Sequence, residues 1–126
     1  MSSASPRTPD ILLREMLDSI ARIQRYVQGT TEAQFRQNLE KQDAVIHRLE
    51  VLGEAAAQLP ADWKAQHPGI PWRTIADTRN RLIHGYFNVD ISIVWQTITQ
   101  DLGPLELELR NILMREFPPL SGSPTP

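Results

Sequence analysis

Apolar residues return at three- and four-residue steps along most of the chain, and no stretch shows convincing two-residue alternation. That rhythm constrains the fold most, because a helix buries one stripe about every 3.6 residues whereas a half-buried strand buries every second residue. In the first such run Ile11, Leu13, Met16, Leu17, Ile20, Ile23 and Val27 precede Gly29, and Asp10 can cap it, so a helix is predicted over residues 10–28. Thr31 opens a second helical stretch with Gln34 three residues on, the capping-box spacing, and Phe35 and Leu39 are its apolar residues. Asp43 reads as the start of a further turn. From there Ala44, Val45, Leu49, Leu52, Ala55 and Leu59 give a wide apolar face that stops at Pro60, which places this helix centrally.

Residues 61–69 read as a turn or single-turn helix, with Trp63 as a lid on the core and His67-Pro68-Gly69 as its breaker. The next run is the best punctuated. Pro71 suits a first helical turn and Gly85 suits the residue after a last one, so residues 71–84 form a helix that delivers His84 and Tyr86 to its carboxyl end. Asp90 can cap a last helix carrying Ile91, Val94, Trp95 and Ile98, continued by Leu102, Leu105, Leu109, Ile112 and Leu113 and kinked or divided at Gly103-Pro104. With no internal repeat, the economical architecture is an all-α, up-and-down bundle of four or five helices.

A chain of 126 residues, 40% hydrophobic and 22% charged, suits one domain with a real core. Residues 1–9 and 118–126, rich in Ser and Pro, are too poor in apolar surface to offset ordering entropy; they are expected to be disordered, leaving residues 10–117 as the folded domain. A net charge of -2 argues against coating nucleic acid by bulk electrostatics, although a local basic cluster can still hold a phosphate. The absence of cysteine removes disulfides, thiol nucleophiles and thiolate metal sites. No apolar run approaches membrane-spanning length and the first residues lack a signal peptide's pattern, so a soluble, cytoplasmic protein is expected.

The chemistry gathers on the helix over residues 71–84. Trp72, Ile75, Ala76, Arg79, Leu82 and Ile83 fall on one face, which sets Arg79 in an apolar stripe. A guanidinium there needs an acidic partner, an anionic ligand or a rim position; Glu54 on the central helix is one candidate partner. His84 follows Arg79 by five residues, about 140° around an ideal helix, so either the helix loosens before Gly85 or a second subunit completes the site. Arg81 and His84, three apart, are true neighbours. Together an Arg, a His and a Tyr hydroxyl suit metal-free attack of a ribose 2′-OH on the adjacent phosphorus, the arginine holding the phosphate and the histidine passing the proton.

Other residues read more plainly. Arg73 and Arg81 are surface charges, with a phosphate contact as the alternative for both, which at Arg81 would support the site. His47 and His67 are solvated or capping histidines, no metal or other cofactor is proposed, and Trp63, Trp72 and Trp95 are core or interface aromatics.

At these residues the chain resembles the HepT-like group of HEPN-domain proteins, toxins whose antitoxin is a minimal nucleotidyltransferase. The family's signature appears as Arg79-Asn80-Arg81-Leu82-Ile83-His84-Gly85-Tyr86. Flanking patterns appear as Asp43-Ala44-Val45-Ile46, Gly53-Glu54-Ala55-Ala56, Ile70-Pro71-Trp72-Arg73, Phe87-Asn88-Val89-Asp90 and Val94-Trp95, so the likeness spans residues 11–113. It implies a homodimeric helical bundle with both signatures lining a shared cleft. It further implies metal-independent endoribonuclease cleavage with Arg79 and His84 catalytic and Asn80 supporting, and silencing by attachment of AMP to Tyr86. His47, where relatives commonly carry arginine, and Asp77-Thr78, where they carry an apolar pair, depart from the pattern. The same features also fit a non-catalytic module that docks a nucleotidyltransferase, or a nucleotide sensor.

Overall fold

The computed structural model describes residues 7–83 and 89–119, with the side chains of residues 79–83 outside the description. Among the described residues there are seven α-helices, one π-helical segment and no strand: α1 (Pro9–Val27), α2 (Glu32–Gln37), α3 (Leu39–Gln58), α4 (Ala61–Ala65), α5 (Trp72–Ile83), α6 (Ile91–Gln96), the π segment (Thr97–Asp101) and α7 (Leu102–Glu116). The expected all-α bundle is what forms. Its long units are α1, α3, α5 and the run from α6 through α7, with α2 and α4 as short connectors. The central helix is α3, which packs on α1 and on α5, while α7 lies against α1.

Local chemistry sets most boundaries. Pro9 occupies the start of α1, and Leu12, Leu13, Met16, Leu17, Ile20 and Ile23 are buried along it. The expected stripe was one position off at its start, because Leu12 faces the core and Ile11 is 45% exposed. The chain leaves α1 through Gly29 at φ 73, a left-handed residue that glycine adopts without a Cβ clash. The Thr31 capping box forms as read: Thr31 Oγ1 accepts from Gln34 N at 3.1 Å, and Thr31 N donates to Gln34 Oε1 at 2.9 Å.

The start of α3 differs from the reading at Asp43. Asn38 Oδ1 accepts from Lys41 N at 2.9 Å and caps a helix that starts at Leu39, ahead of the turn read at Asp43. Leu39, read as an apolar residue of the stretch opened by Thr31, instead begins α3 and is 71% exposed. Gln42 fills the buried position instead, its amide donating to the Phe35 and Arg36 carbonyls at 2.9 and 3.0 Å and closing the end of α2.

The last helix is divided, but not at Gly103-Pro104. Its irregularity is the π segment just upstream, followed by α7 from Leu102. Pro104 has no N–H for the carbonyl four residues back, at Gln100, and its ring would press on that carbonyl. A widened turn over residues 97–101 relieves both, with the Thr99 hydroxyl donating to the Trp95 carbonyl at 2.7 Å. Val94, Ile98, Leu102, Leu109 and Ile112 stay buried across the irregularity, so one apolar face runs from α6 into α7.

Candidate functional site

The helix expected to carry the chemistry is α5. It begins at Trp72, one residue after the expected start, because Pro71 plays the cap: the Pro71 carbonyl accepts from Ile75 N at 3.0 Å. Trp72 and Ile75 are buried and Arg73 is exposed, as read from the sequence. The middle of α5 lies hard against α3 at Gly53, where a Cβ would stand 3.0 Å from the Ile75 carbonyl oxygen and 3.6 Å from that of Ala76. A larger residue at position 53 would push the two helices apart, so this glycine fixes the depth of α5 in the bundle. Glu54, the residue beside it, is exposed.

The backbone stays helical through Arg79, Asn80 and Arg81 to Ile83, and their side chains lie outside the described residues. His84 and Tyr86 also lie outside them. The chain is described again from Val89, and Asp90 then caps α6 as expected, its Oδ1 accepting from Ser92 N at 2.9 Å and Ile93 N at 3.4 Å. Both anchors of the signature segment are therefore firm: a packed helix before it and a capped helix after it.

The entry to α5 is held by an aromatic cluster. Trp72 Nε1 donates to the His67 carbonyl at 2.9 Å, the Trp63 and Trp72 ring centroids are 5.7 Å apart, and those of Trp63 and His67 are 4.4 Å apart. His67, read from the sequence as a solvated or capping histidine, is not solvated. Its side chain is 8% exposed, and Nε2 stands 2.8 Å from Glu116 Oε2 at the end of α7. The approach is off the hydrogen-bonding direction, so the contact is a close electrostatic one rather than an aligned hydrogen bond. Nothing near position 67 announces this, since the partner is 49 residues away in sequence. His47, by contrast, is exposed as expected, with Glu50 Oε1 at 4.0 Å. The other tryptophans also read correctly: Trp63 and Trp95 are half-buried, and Trp95 stands 5.3 Å from Phe35.

Between α5 and the π segment with α7 lies a groove of about 430 Å³. Leu49 and Leu52 of α3 form its floor, Thr74, Ile75 and Thr78 one wall, and Gln100, Asp101, Leu105 and Glu108 the other. No sequence pattern announces it, because it arises where α5 packs on α3 and α7 on α1, with no described side chain between them. Among the described residues lining it there is no lysine, arginine or histidine. Among the described residues no group of three or more His, Asp or Glu side chains comes together as a metal-binding set.

Among the described residues, the groups with displaced titration lie on α1. The Thr8 hydroxyl donating to Asp10 holds that carboxyl below its ordinary value. Asp18, 2.9 Å from Arg22, raises the guanidinium further above its own.

An all-α bundle built on these helices defines a fold class, and comparison with known proteins gives the chain a family. The ribonuclease HepT-like family matches residues 16–112, and the chain belongs to it. "Probable ribonuclease HepT" of Thermococcus cleftensis is 37% identical over 94 residues, covering 75% of this chain and 86% of that protein. "Putative RNase TTE0752" of Caldanaerobacter subterraneus subsp. tengcongensis is 33% identical over 110 residues, covering 87% of this chain and 98% of that protein. A longer relative, "Gamma-glutamylcyclotransferase and putative RNase MJ0434" of Methanocaldococcus jannaschii, is 37% identical over 103 residues; the match covers 82% of this chain and 46% of that protein. No solved structure matches the chain.

Proposed function

We propose that this protein is a metal-independent endoribonuclease, the toxin half of a toxin–antitoxin pair. The observation that carries this reading is the signature itself: Arg79, Asn80, His84 and Tyr86 stand in family order, on and just beyond a packed helix, in a chain of the ribonuclease HepT-like family. Relatives named as ribonucleases support the reaction class.

In this reading His84 takes the proton of a ribose 2′-OH as its oxygen bonds to phosphorus, the P–O5′ bond breaks, and the 5′ oxygen leaves with the proton that His84 passes on. Arg79 holds the phosphate and the charge that develops on it, with Asn80 and Arg81 in support. Because Arg79 and His84 diverge on a regular helix, two copies of the chain share one cleft and each completes the other's site. A cognate nucleotidyltransferase antitoxin silences the enzyme by joining AMP to the Tyr86 hydroxyl, a bulky anion beside the arginines that keeps RNA out. The helical unit of residues 10–117 carries the whole activity in the cytoplasm.

The test is expression of the wild type and His84→Ala with and without the nucleotidyltransferase encoded alongside. Growth arrest and RNA cleavage by the wild type alone, their loss in His84→Ala, and a mass gain of one AMP on Tyr86 after co-expression are expected. Equal harmlessness of both proteins, inert on total RNA, would leave only a docking module.

A further inference from the structure

We propose that the groove between α5 and α7 is a subsite for a guanine base of the RNA. This rests on the ribonuclease reading above and adds a sequence preference to it. The first observation is shape. A cavity of about 430 Å³ with Leu49, Leu52, Ile75 and Leu105 at its base offers a flat ring an apolar seat and excludes water from its faces. No described side chain fills it, although Leu49, Leu52 and Ile75 belong to the buried core.

The second observation is the polarity of the rim. Asp101 and Glu108 line the groove, and neither has a hydrogen-bond or ion-pair partner among the described residues. Glu108 leans across the groove, its carboxylate oxygens 3.6 and 4.0 Å from where a Cβ on Gly69 would be. Ionised carboxylates only accept hydrogen bonds. With no cation among the described lining residues, a phosphate is disfavoured there, and of the parts an RNA offers, the fitting one is a neutral base that presents donors. Of the four bases, uracil offers one N–H between two carbonyls, and adenine and cytosine each set an amino group beside an acceptor nitrogen. Guanine alone presents two adjacent donors, N1–H and the 2-amino group, which one carboxylate can take in bidentate fashion.

The third observation is position. The wall of the groove is α5 itself, and Thr78 lies five residues before Ile83, the last residue of that helix. Five residues rise about 7.5 Å, roughly two stacked nucleotide steps of about 3.4 Å. A base seated on Thr74 and Thr78 therefore leaves its strand close to the signature. The acidic groove takes the neutral base, and the backbone phosphates run on toward the C-terminal end of α5.

The experiment uses free nucleosides, which carry no phosphate and need no catalysis. Titration of the full-length protein with guanosine, inosine and uridine is expected to show guanosine bound about tenfold more tightly than inosine, which lacks the 2-amino group, and more tightly still than uridine. The double variant Asp101→Asn with Glu108→Gln, both exposed positions, loses that preference, and Thr74→Trp on the rim blocks the groove independently. In parallel, cleavage of an RNA carrying a single guanine in an otherwise A/U sequence concentrates within two nucleotides of it for the wild type. Nucleosides bound without preference, or a preference unchanged in both the double variant and Thr74→Trp, overturn the subsite. RNA cut without regard to guanine sinks the subsite and spares the ribonuclease; guanosine bound as described with no RNA cut spares the subsite and sinks the ribonuclease.

Discussion

Gly53 shows how one residue sets the position of the candidate site. A Cβ there would stand 3.0 Å from the Ile75 carbonyl oxygen, and that neighbour is helix backbone, which cannot swing aside. Gly53→Ala gains up to about 1 kcal/mol of helix propensity and loses about 1–3 kcal/mol to overpacking. A net fall in stability by urea denaturation is the outcome to look for, together with weakened function because α5 is displaced. Glu116→Ala strands the buried His67 without its acidic neighbour and should cost about 1–3 kcal/mol, measured the same way. At Asp10 the sign of the pH effect follows from its depressed folded pKa, which the Thr8 hydroxyl causes first. That contribution is present above the unfolded value and disappears as pH falls through the folded one. Thr8→Val should raise the Asp10 pKa in an NMR titration and lower stability near neutrality, with no difference once both states are protonated. Of these residues, Asp10 reads in the sequence as the cap of the first helix, but Thr8 holds that position and Asp10 stands in the first turn; the burial of His67 depends on a partner on the last helix, and no local pattern encodes such a pairing.

Helix boundaries divide into those set by adjacent residues and those set by distant ones. The capping box of Thr31 and Gln34 and the cap by Asp90 were legible because donor and acceptor sit within three residues of each other. Asn38 was passed over because Leu39 and Asp43 drew the pattern away from it, and Leu39 proves to face solvent. Pro104 signalled a break, but the strain it creates is relieved upstream in the π segment, where the turn is free to widen. Asp90→Ala removes the acceptor of two backbone N–H groups at the start of α6. The expected loss is about 1 kcal/mol by thermal or chemical unfolding. A loss of the proposed activity beyond that set by the unfolded fraction would show that the cap also fixes the chain leaving the signature.

For the molecule as a whole, helical periodicity alone fixed the all-α bundle, and the order of the signature and its flanking patterns placed the chain in the ribonuclease HepT-like family. What periodicity could not supply is how the long helices divide the space between them. Packing α5 on α3 and α7 on α1 leaves an acidic-rimmed, apolar-floored groove beside the signature helix, a feature of three elements at once. The helical unit of residues 10–117, proposed to carry the activity, should cleave RNA as the full chain does, measured as initial rates on the same substrate. The most direct measurement concerns the bond that is broken. Incubated with RNA in excess EDTA, the wild type should leave 2′,3′-cyclic phosphate and 5′-hydroxyl ends, and His84→Ala and Arg79→Ala should leave the RNA intact. Cleavage abolished by EDTA, 3′-hydroxyl and 5′-phosphate ends, or undiminished cutting by His84→Ala would contradict a metal-independent ribonuclease built on Arg79 and His84.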